Sequence, residues 1–142
     1  MPLVYFDASA LLKLVIEEDG SDVAARLWDG CDAALASRLA HVEVCAALAG
    51  SHRNEDLSES DLETALAGFN TFWASMRPLE LTGRVQLRAG LIAREHSLRG
   101  ADAIHLASAL AVGDPQLVMA VWDHRLAAGA RAAGLAVSPA PD

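Results

Sequence analysis

Basic side chains are scarce in this sequence. Eleven Lys and Arg face nineteen Asp and Glu, the formal charge is −8 over 142 residues, and Lys13 is the only lysine. A protein that coats nucleic acid regardless of sequence presents a basic face, and this chain has too few cations to build one. An enzyme whose acidic groups hold cations stays open, because bound divalent ions reverse the local sign. Cysteine is also rare. Cys31 and Cys45 fall in no C-x-x-C or zinc spacing, so they read as reduced thiols rather than a disulfide frame or a zinc module. No uninterrupted apolar run reaches membrane-spanning length. The N-terminal apolar stretch is broken by Asp7 and Lys13 and has no basic lead-in of the kind a secretory signal carries. The expectation is a soluble, cytoplasmic protein without a membrane partner.

Apolar residues make up 53% of the chain, and its length suits one domain with a real core. A single domain over residues 1–142 is expected, with 138–142 as a frayed tail. Leu3-Val4-Tyr5-Phe6 reads as a short buried strand. A helix follows from Ala8 to Ile16, and a second begins at the capping residues Ser21-Asp22 and ends at Gly30. Ala33 to Ala36 is a weak strand candidate. Ser37 reads as the N-cap of a helix from Arg38 to Ala49, with a solvated turn over 50–56. Ser58 and Ser60 offer N-caps for a helix to about Ser75, Ser60 with Glu63 fitting a capping box. Its Leu62, Leu66, Phe69, Phe72 and Trp73 fall at helical spacing, as core residues do. Leu79 to Leu81 suggests a short edge strand, and Thr82 caps a helix through His96. Leu117 to Val121 is a clear strand, Leu126 to Ala133 a helix with Gly134 at C′, and Leu135 to Val137 a last strand. Alternating strands and helices predict an α/β fold: a central, mostly parallel sheet of four to five strands with helices on both faces.

One stretch carries most of the chemistry. From Arg99 to Leu110 the chain predicts a helix with almost no polar side, since Ala101, Ala103, Ile104, Leu106, Ala107 and Leu110 surround the axis. Such a helix is buried. Its first turn nonetheless holds Asp102, just after Gly100, which can serve as N-cap. Buried charge is costly unless it is paired or bound to metal. Asp7 follows the first strand and Asp123 the clear strand near the C-terminus, and each begins a helix. Ligands of open parallel sheets sit beyond the carboxyl ends of the strands, so both side chains should open onto one crevice. Glu43 lies beside the apolar stripe of a helix with no other acid. Four converging carboxylates repel one another unless cations neutralise them. Hard divalent ions such as Mg²⁺ or Mn²⁺ suit oxygen ligands and stabilise both attacking and leaving oxygens in phosphoryl transfer.

With these residues in place, the chain resembles the PIN-domain ribonucleases, and among them the VapC toxins of toxin–antitoxin pairs. Four blocks carry the resemblance: Val4-Tyr-Phe-Asp-Ala-Ser-Ala-Leu-Leu-Lys13, Ser37-Arg-Leu-Ala-His-Val-Glu43, Arg99-Gly-Ala-Asp-Ala-Ile-His-Leu-Ala-Ser-Ala-Leu110 and Val121-Trp-Asp-His-Arg-Leu126. The resemblance implies a single PIN-like domain in which Asp7, Glu43, Asp102 and Asp123 are catalytic, metal-binding acids. It implies endonucleolytic cleavage of RNA with Mg²⁺, or Mn²⁺ in its place, tRNA or rRNA being the expected targets. It also implies a cognate antitoxin and a homodimer. In one respect the chain departs: Val121 stands where the family often has Thr or Ser.

Ser9 and His105 are candidates to support the acids from behind. Ser9 equally suits a helix cap near Asp7, and His105 a packed residue of a buried helix, three positions after Asp102 and able to reach it. Lys13, Arg38, Arg99 and Arg125 lie within the same blocks and are candidate RNA phosphate contacts or ordinary surface charges. His41, His52, His96 and His124 show no metal spacing. A catalytically inactive PIN-like module that binds RNA or protein is the alternative. A phosphoryl-accepting receiver would need an acid pair after the first strand and a lysine near the last ones, and Asp7 precedes Ala8 while Lys13 has no companion.

Overall fold

In the computed structural model, which describes residues 2–141, twelve elements alternate as the pattern predicts. They are β1 (Leu3–Phe6), α1 (Ala8–Val15), α2 (Ser21–Gly30), β2 (Ala33–Ser37), α3 (Arg38–Arg53), α4 (Glu59–Ala74), β3 (Arg77–Leu79), α5 (Gly83–Glu95), α6 (Gly100–Ala111), β4 (Val118–Ala120), α7 (His124–Ala132) and β5 (Ala136–Ser138). The strands form one sheet in the order β3-β2-β1-β4-β5, with every pairing parallel. This is the α/β architecture expected, with five strands.

Alternation along the strands splits the core in two. Successive side chains of a strand point to opposite faces. Val4 and Phe6 of β1, Ala34 and Ala36 of β2 and Ala120 of β4 pack under α1, α3 and α4, with Leu11, Val44, Leu48 and Phe69. Tyr5, Leu35 and Met119 face the other way, under α5, α6 and α7, with Val85, Ile92, Leu106 and Leu126. That period decides where the one tyrosine goes: beneath α6.

Several boundaries differ from the sequence reading, each for a local reason. α3 does not stop at Ala49 but runs through Gly50 to Arg53, so the turn expected over 50–56 is shorter. Helical glycine costs about 1 kcal/mol, and the packing of fully buried Leu48 offsets it. The chain then turns at Glu55, with φ 64°. Ser58, not Ser60, caps α4, accepting from the Asp61 amide at 3.0 Å. Ser21 does not cap α2. Its hydroxyl accepts from Glu18 N–H and donates to the Ile16 carbonyl, while left-handed Gly20 takes the cap position. β3 begins at Arg77 and includes Pro78, opposite Ala36. It is an edge strand, where a missing N–H is tolerated. α6 is capped by Arg99 rather than Gly100, and α7 starts at His124, with Gly134 left-handed at C′ as expected. Ser138 belongs to β5 and its carbonyl accepts from Val121 N–H. The tail expectation for Asp142, and the Met1 end of the expected domain, lie outside the described residues.

Candidate active site

The strand order reverses direction between β1 and β4. From β1 the chain moves outward to β2 and β3, then returns to lay β4 on the other side. Such a switch point opens a crevice at the carboxyl ends of the strands. Asp7 leaves β1 there, and Asp123 lies three residues past β4.

Asp7 is the N-cap of α1 and is 5% exposed. Its Oδ1 accepts from the Ser9 hydroxyl at 2.7 Å and the Ala10 amide at 2.9 Å. Burial pushes its carboxyl up from 3.8 to about 6. The bonds from Ser9 and Ala10 and the nearby His105 pull it back, and the Glu43 carboxylate adds to the rise. Asp7, Glu43 and His105 thus feel one another across the crevice. Ser9 also makes a second contact. Its oxygen lies 3.5 Å from the Trp122 amide, tying the start of α1 to the residue before Asp123.

Glu43 reaches in from the second turn of α3, one turn past the Ser37 cap, whose hydroxyl accepts from Leu39 N–H. Its Oε1 lies 2.5 Å from His105 Nε2. His105 therefore contacts Glu43 and not Asp102, three residues before it. At its other nitrogen, Nδ1 is 2.7 Å from the Tyr5 phenol oxygen, and that oxygen accepts from Ser37 N–H at 3.3 Å. Tyr5 is fully buried, and that burial raises its phenol well above the ordinary value, so it stays neutral. The sequence reading placed Tyr5 in the core and missed this role. The signal was there: a buried phenol needs a hydrogen-bond partner.

Asp102 and Asp123 form the second pair. Arg99 lies between them, its Nε 3.4 Å from Asp102 Oδ2 and its Nη2 3.9 Å from Asp123 Oδ2. Asp123 also caps α7, its Oδ1 accepting from Leu126 N–H at 2.9 Å. Of the other candidate phosphate contacts, Lys13 is engaged. Its ammonium donates to Glu18 Oε1 and the Asp19 carbonyl and sits 5.1 Å from the Trp122 ring centroid. Arg38 pairs with Glu80 at 2.6 Å on the surface. Arg125 is exposed, without an ion pair among the described residues. Val121 is buried in the α5–α7 core, so the position that often carries a hydroxyl in the family is an apolar packing position here. His41 packs against Phe69 and Trp73, tilted to the first ring and edge-on to the second, with ring centroids 5.2 and 5.1 Å away, and those aromatics are core as expected.

Among the described residues, no three His, Cys, Asp or Glu side chains stand close enough together to hold a metal ion. The donor chemistry nevertheless fits a hard divalent cation. All four candidates are carboxylates, and Asp7 Oδ2, Glu43 Oε2 and Asp102 Oδ1 take no hydrogen bond from the described residues. The Arg99 guanidinium shared by two acids marks a place where positive charge is favourable.

Residues 4–128 match the family described as PIN domain. Over 140 residues the chain is 64% identical to Ribonuclease VapC45 of Mycobacterium tuberculosis, covering 99% of this chain and 97% of that one. It is 34% identical to Ribonuclease VapC46 of the same species, over 96% of this chain and 97% of that protein. Among solved structures, the fold resembles PAE2754 of Pyrobaculum aerophilum, with TM-score 0.72, 22% identity and coverage of 96% and 89%. It also resembles VapC20 of M. tuberculosis, a toxin that cleaves the sarcin–ricin loop, with TM-score 0.67, 17% identity and coverage of 93% and 95%. At those identities the structural likeness speaks for the fold alone.

Proposed function

The chain belongs to the PIN-domain family, and from that premise we propose that it is a VapC-type toxin, an endoribonuclease that hydrolyses RNA with a divalent cation and is silenced by a cognate antitoxin. The observation that supports the reading is that Asp7 and Asp123 follow the carboxyl ends of the neighbouring strands β1 and β4, with Glu43 and His105 close to Asp7 and Arg99 spanning Asp102 and Asp123. The 64% identity to a named VapC ribonuclease over nearly the whole chain supports the same activity.

Asp7, Glu43, Asp102 and Asp123 are the residues that would hold the cation, Mg²⁺ with Mn²⁺ as substitute. The chemistry such an ion supplies is an activated water and neutralisation of the charge that develops on the phosphate. The rest falls to the chain. Asp7 is fixed by Ser9 and Ala10 at the carboxyl end of β1. Glu43 is held by His105. Arg99, mostly exposed beside Asp102, would take a phosphate oxygen once the acids are neutralised. With a net charge of −8, productive RNA binding rests on the bound cation and on few basic side chains. An antitoxin partner is supported by the VapC names of the relatives and by a structural neighbour from Rickettsia felis described as VapBC2 bound to promoter DNA.

The test is cleavage of total tRNA and rRNA by the purified protein, free of antitoxin, with Mg²⁺, with Mn²⁺ and with EDTA, beside Asp7→Asn and Asp102→Asn. The expected outcome is discrete fragments that require metal and fall by at least about a hundredfold in either variant, since each removes a carboxylate acting on charge in the transition state. Intact RNA under every condition, with no rise in melting temperature on adding Mn²⁺, would instead favour a PIN-like module that binds without cutting.

A further inference from the structure

We propose that His105 is the positioning residue for Glu43, locked in one orientation and one tautomer by Tyr5, so that Glu43 presents Oε2 alone to a divalent cation. This role rests on the nuclease reading above and adds to it a function for two buried residues of this chain.

Hydrogen-bond directions fix the arrangement. Ser37 N–H can only donate, and it donates to the Tyr5 phenol oxygen. A phenol, with an ordinary pKa near about 10, keeps its proton at neutral pH. Its O–H therefore needs an acceptor, and Nδ1 of His105 lies 2.7 Å away. The Ser108 hydroxyl lies nearby, yet its oxygen makes no hydrogen bond among the described residues. With the phenol hydrogen directed at it, Nδ1 is the accepting nitrogen, which places the ring hydrogen on Nε2. Nε2–H donates to Glu43 Oε1. Four groups from β2, β1, α6 and α3 are aligned in one direction, and the last is a carboxylate of the site.

Burial separates this from a packing role. His105 is 2% exposed and Tyr5 is fully buried. Replacing a buried hydrogen-bonded pair with apolar groups of similar shape is close to neutral for stability, so the core does not require a phenol and an imidazole here. Glu43 does require a fixed donor. Its side chain is 30% exposed, and a long carboxylate at a crevice edge would otherwise sample several rotamers. With Oε1 occupied, Oε2 has no partner among the described residues. Groups behind metal-binding side chains orient them in this way, and removing one typically costs about 10–100-fold in metal affinity.

The test measures Mn²⁺ binding calorimetrically in wild type, His105→Asn, His105→Gln and Tyr5→Phe, with the melting temperature of each metal-free protein. Asn keeps a polar atom toward Tyr5 but cannot reach Glu43, whereas Gln places its amide where Nε2 stands. His105→Asn is expected to weaken Mn²⁺ by about 10–100-fold and His105→Gln to restore most of it. A second readout needs no metal: ring ¹⁵N shifts should show His105 with hydrogen on Nε2 in wild type and a mixture of tautomers in Tyr5→Phe. Wild-type Mn²⁺ affinity in a folded His105→Asn protein overturns the proposal while the nuclease reading stands. No Mn²⁺ binding by wild type overturns both. If His105→Asn does not fold, Tyr5→Phe decides, and an unchanged tautomer with unchanged Mn²⁺ affinity there overturns the proposal.

Discussion

Asp7 shows how much a single side chain can cost the fold that carries it. Its carboxyl ionises near 3.8 when unfolded and at about 6 in the native state, so the folded protein binds that proton more tightly. The cost of burying the carboxylate is absent below about pH 4, grows as pH rises toward 6 and is complete above it. A shift of about two units corresponds to about 3 kcal/mol. Asp7→Asn keeps an oxygen for Ser9 and Ala10 and removes the charge. The metal-free variant is expected to melt on the order of 5 °C above wild type near pH 7.5, the gain vanishing near pH 4, while RNA cleavage is lost. Thermal melts across that pH range check it, and a variant no more stable than wild type near pH 7.5 would show that the carboxylate is not strained. At this scale the sequence was informative about type and less so about contact. Asp7 was visible as an acid at a strand end. That His105 serves Glu43 and not Asp102 depends on side chains of α3 and α6 meeting from opposite faces of the sheet, which spacing along one helix does not report.

At the scale of elements, short turns do the aiming. The turn between α1 and α2 packs on the segment joining β4 to α7. Gly20 makes this possible: its φ is 92°, and a Cβ there would lie 2.7 Å from Trp122 Nε1. Trp122 in turn precedes Asp123 and lies under the Lys13 ammonium. Gly20→Ala therefore combines backbone strain with a clash, and a cost of roughly 1–3 kcal/mol is expected. Because the displaced ring adjoins Asp123, cleavage should fall more than the melting temperature alone implies. Measuring both at a temperature well below the melt separates the two effects, and an Ala variant with wild-type cleavage would show that the turn does not steer Asp123. Some caps were legible: Ser37 and Thr82 hold the helix starts the sequence suggested, whereas Ser21, Ser60 and Gly100 do not. Helix ends were less legible, as α3 shows, because buried Leu48 carries the helix past a glycine.

For the whole molecule, the exposed leucines point to a partner. Leu81, Leu87 and Leu91 are 54%, 73% and 56% exposed, and the last two sit one helical turn apart on α5. Neighbouring apolar side chains left in water mark interaction surfaces. They support the homodimer implied by the family resemblance. Light scattering on the antitoxin-free protein is expected to give twice the chain mass, and Leu87→Glu with Leu91→Glu to give the single-chain mass with the melt largely retained. A wild-type monomer, or a variant that stays dimeric, would place the dimer contact elsewhere or remove it.

The amino-acid sequence by itself determined the alternation of strands and helices and the parallel sheet, and it singled out four acids as candidates. Those follow from local rules: hydrophobic period, capping residues, and the rarity of unpaired charge beside an apolar stripe. Tertiary structure alone decided which groups meet. The order β3-β2-β1-β4-β5 put Asp7 and Asp123 just past neighbouring strands, the two-residue period of β1 turned Tyr5 toward α6, and a side-chain contact between α6 and α3 gave Glu43 to His105. Such contacts span up to a hundred residues of chain. They are chosen by packing, which depends on the shapes of all the surfaces at once and leaves no mark on the spacing of any single segment.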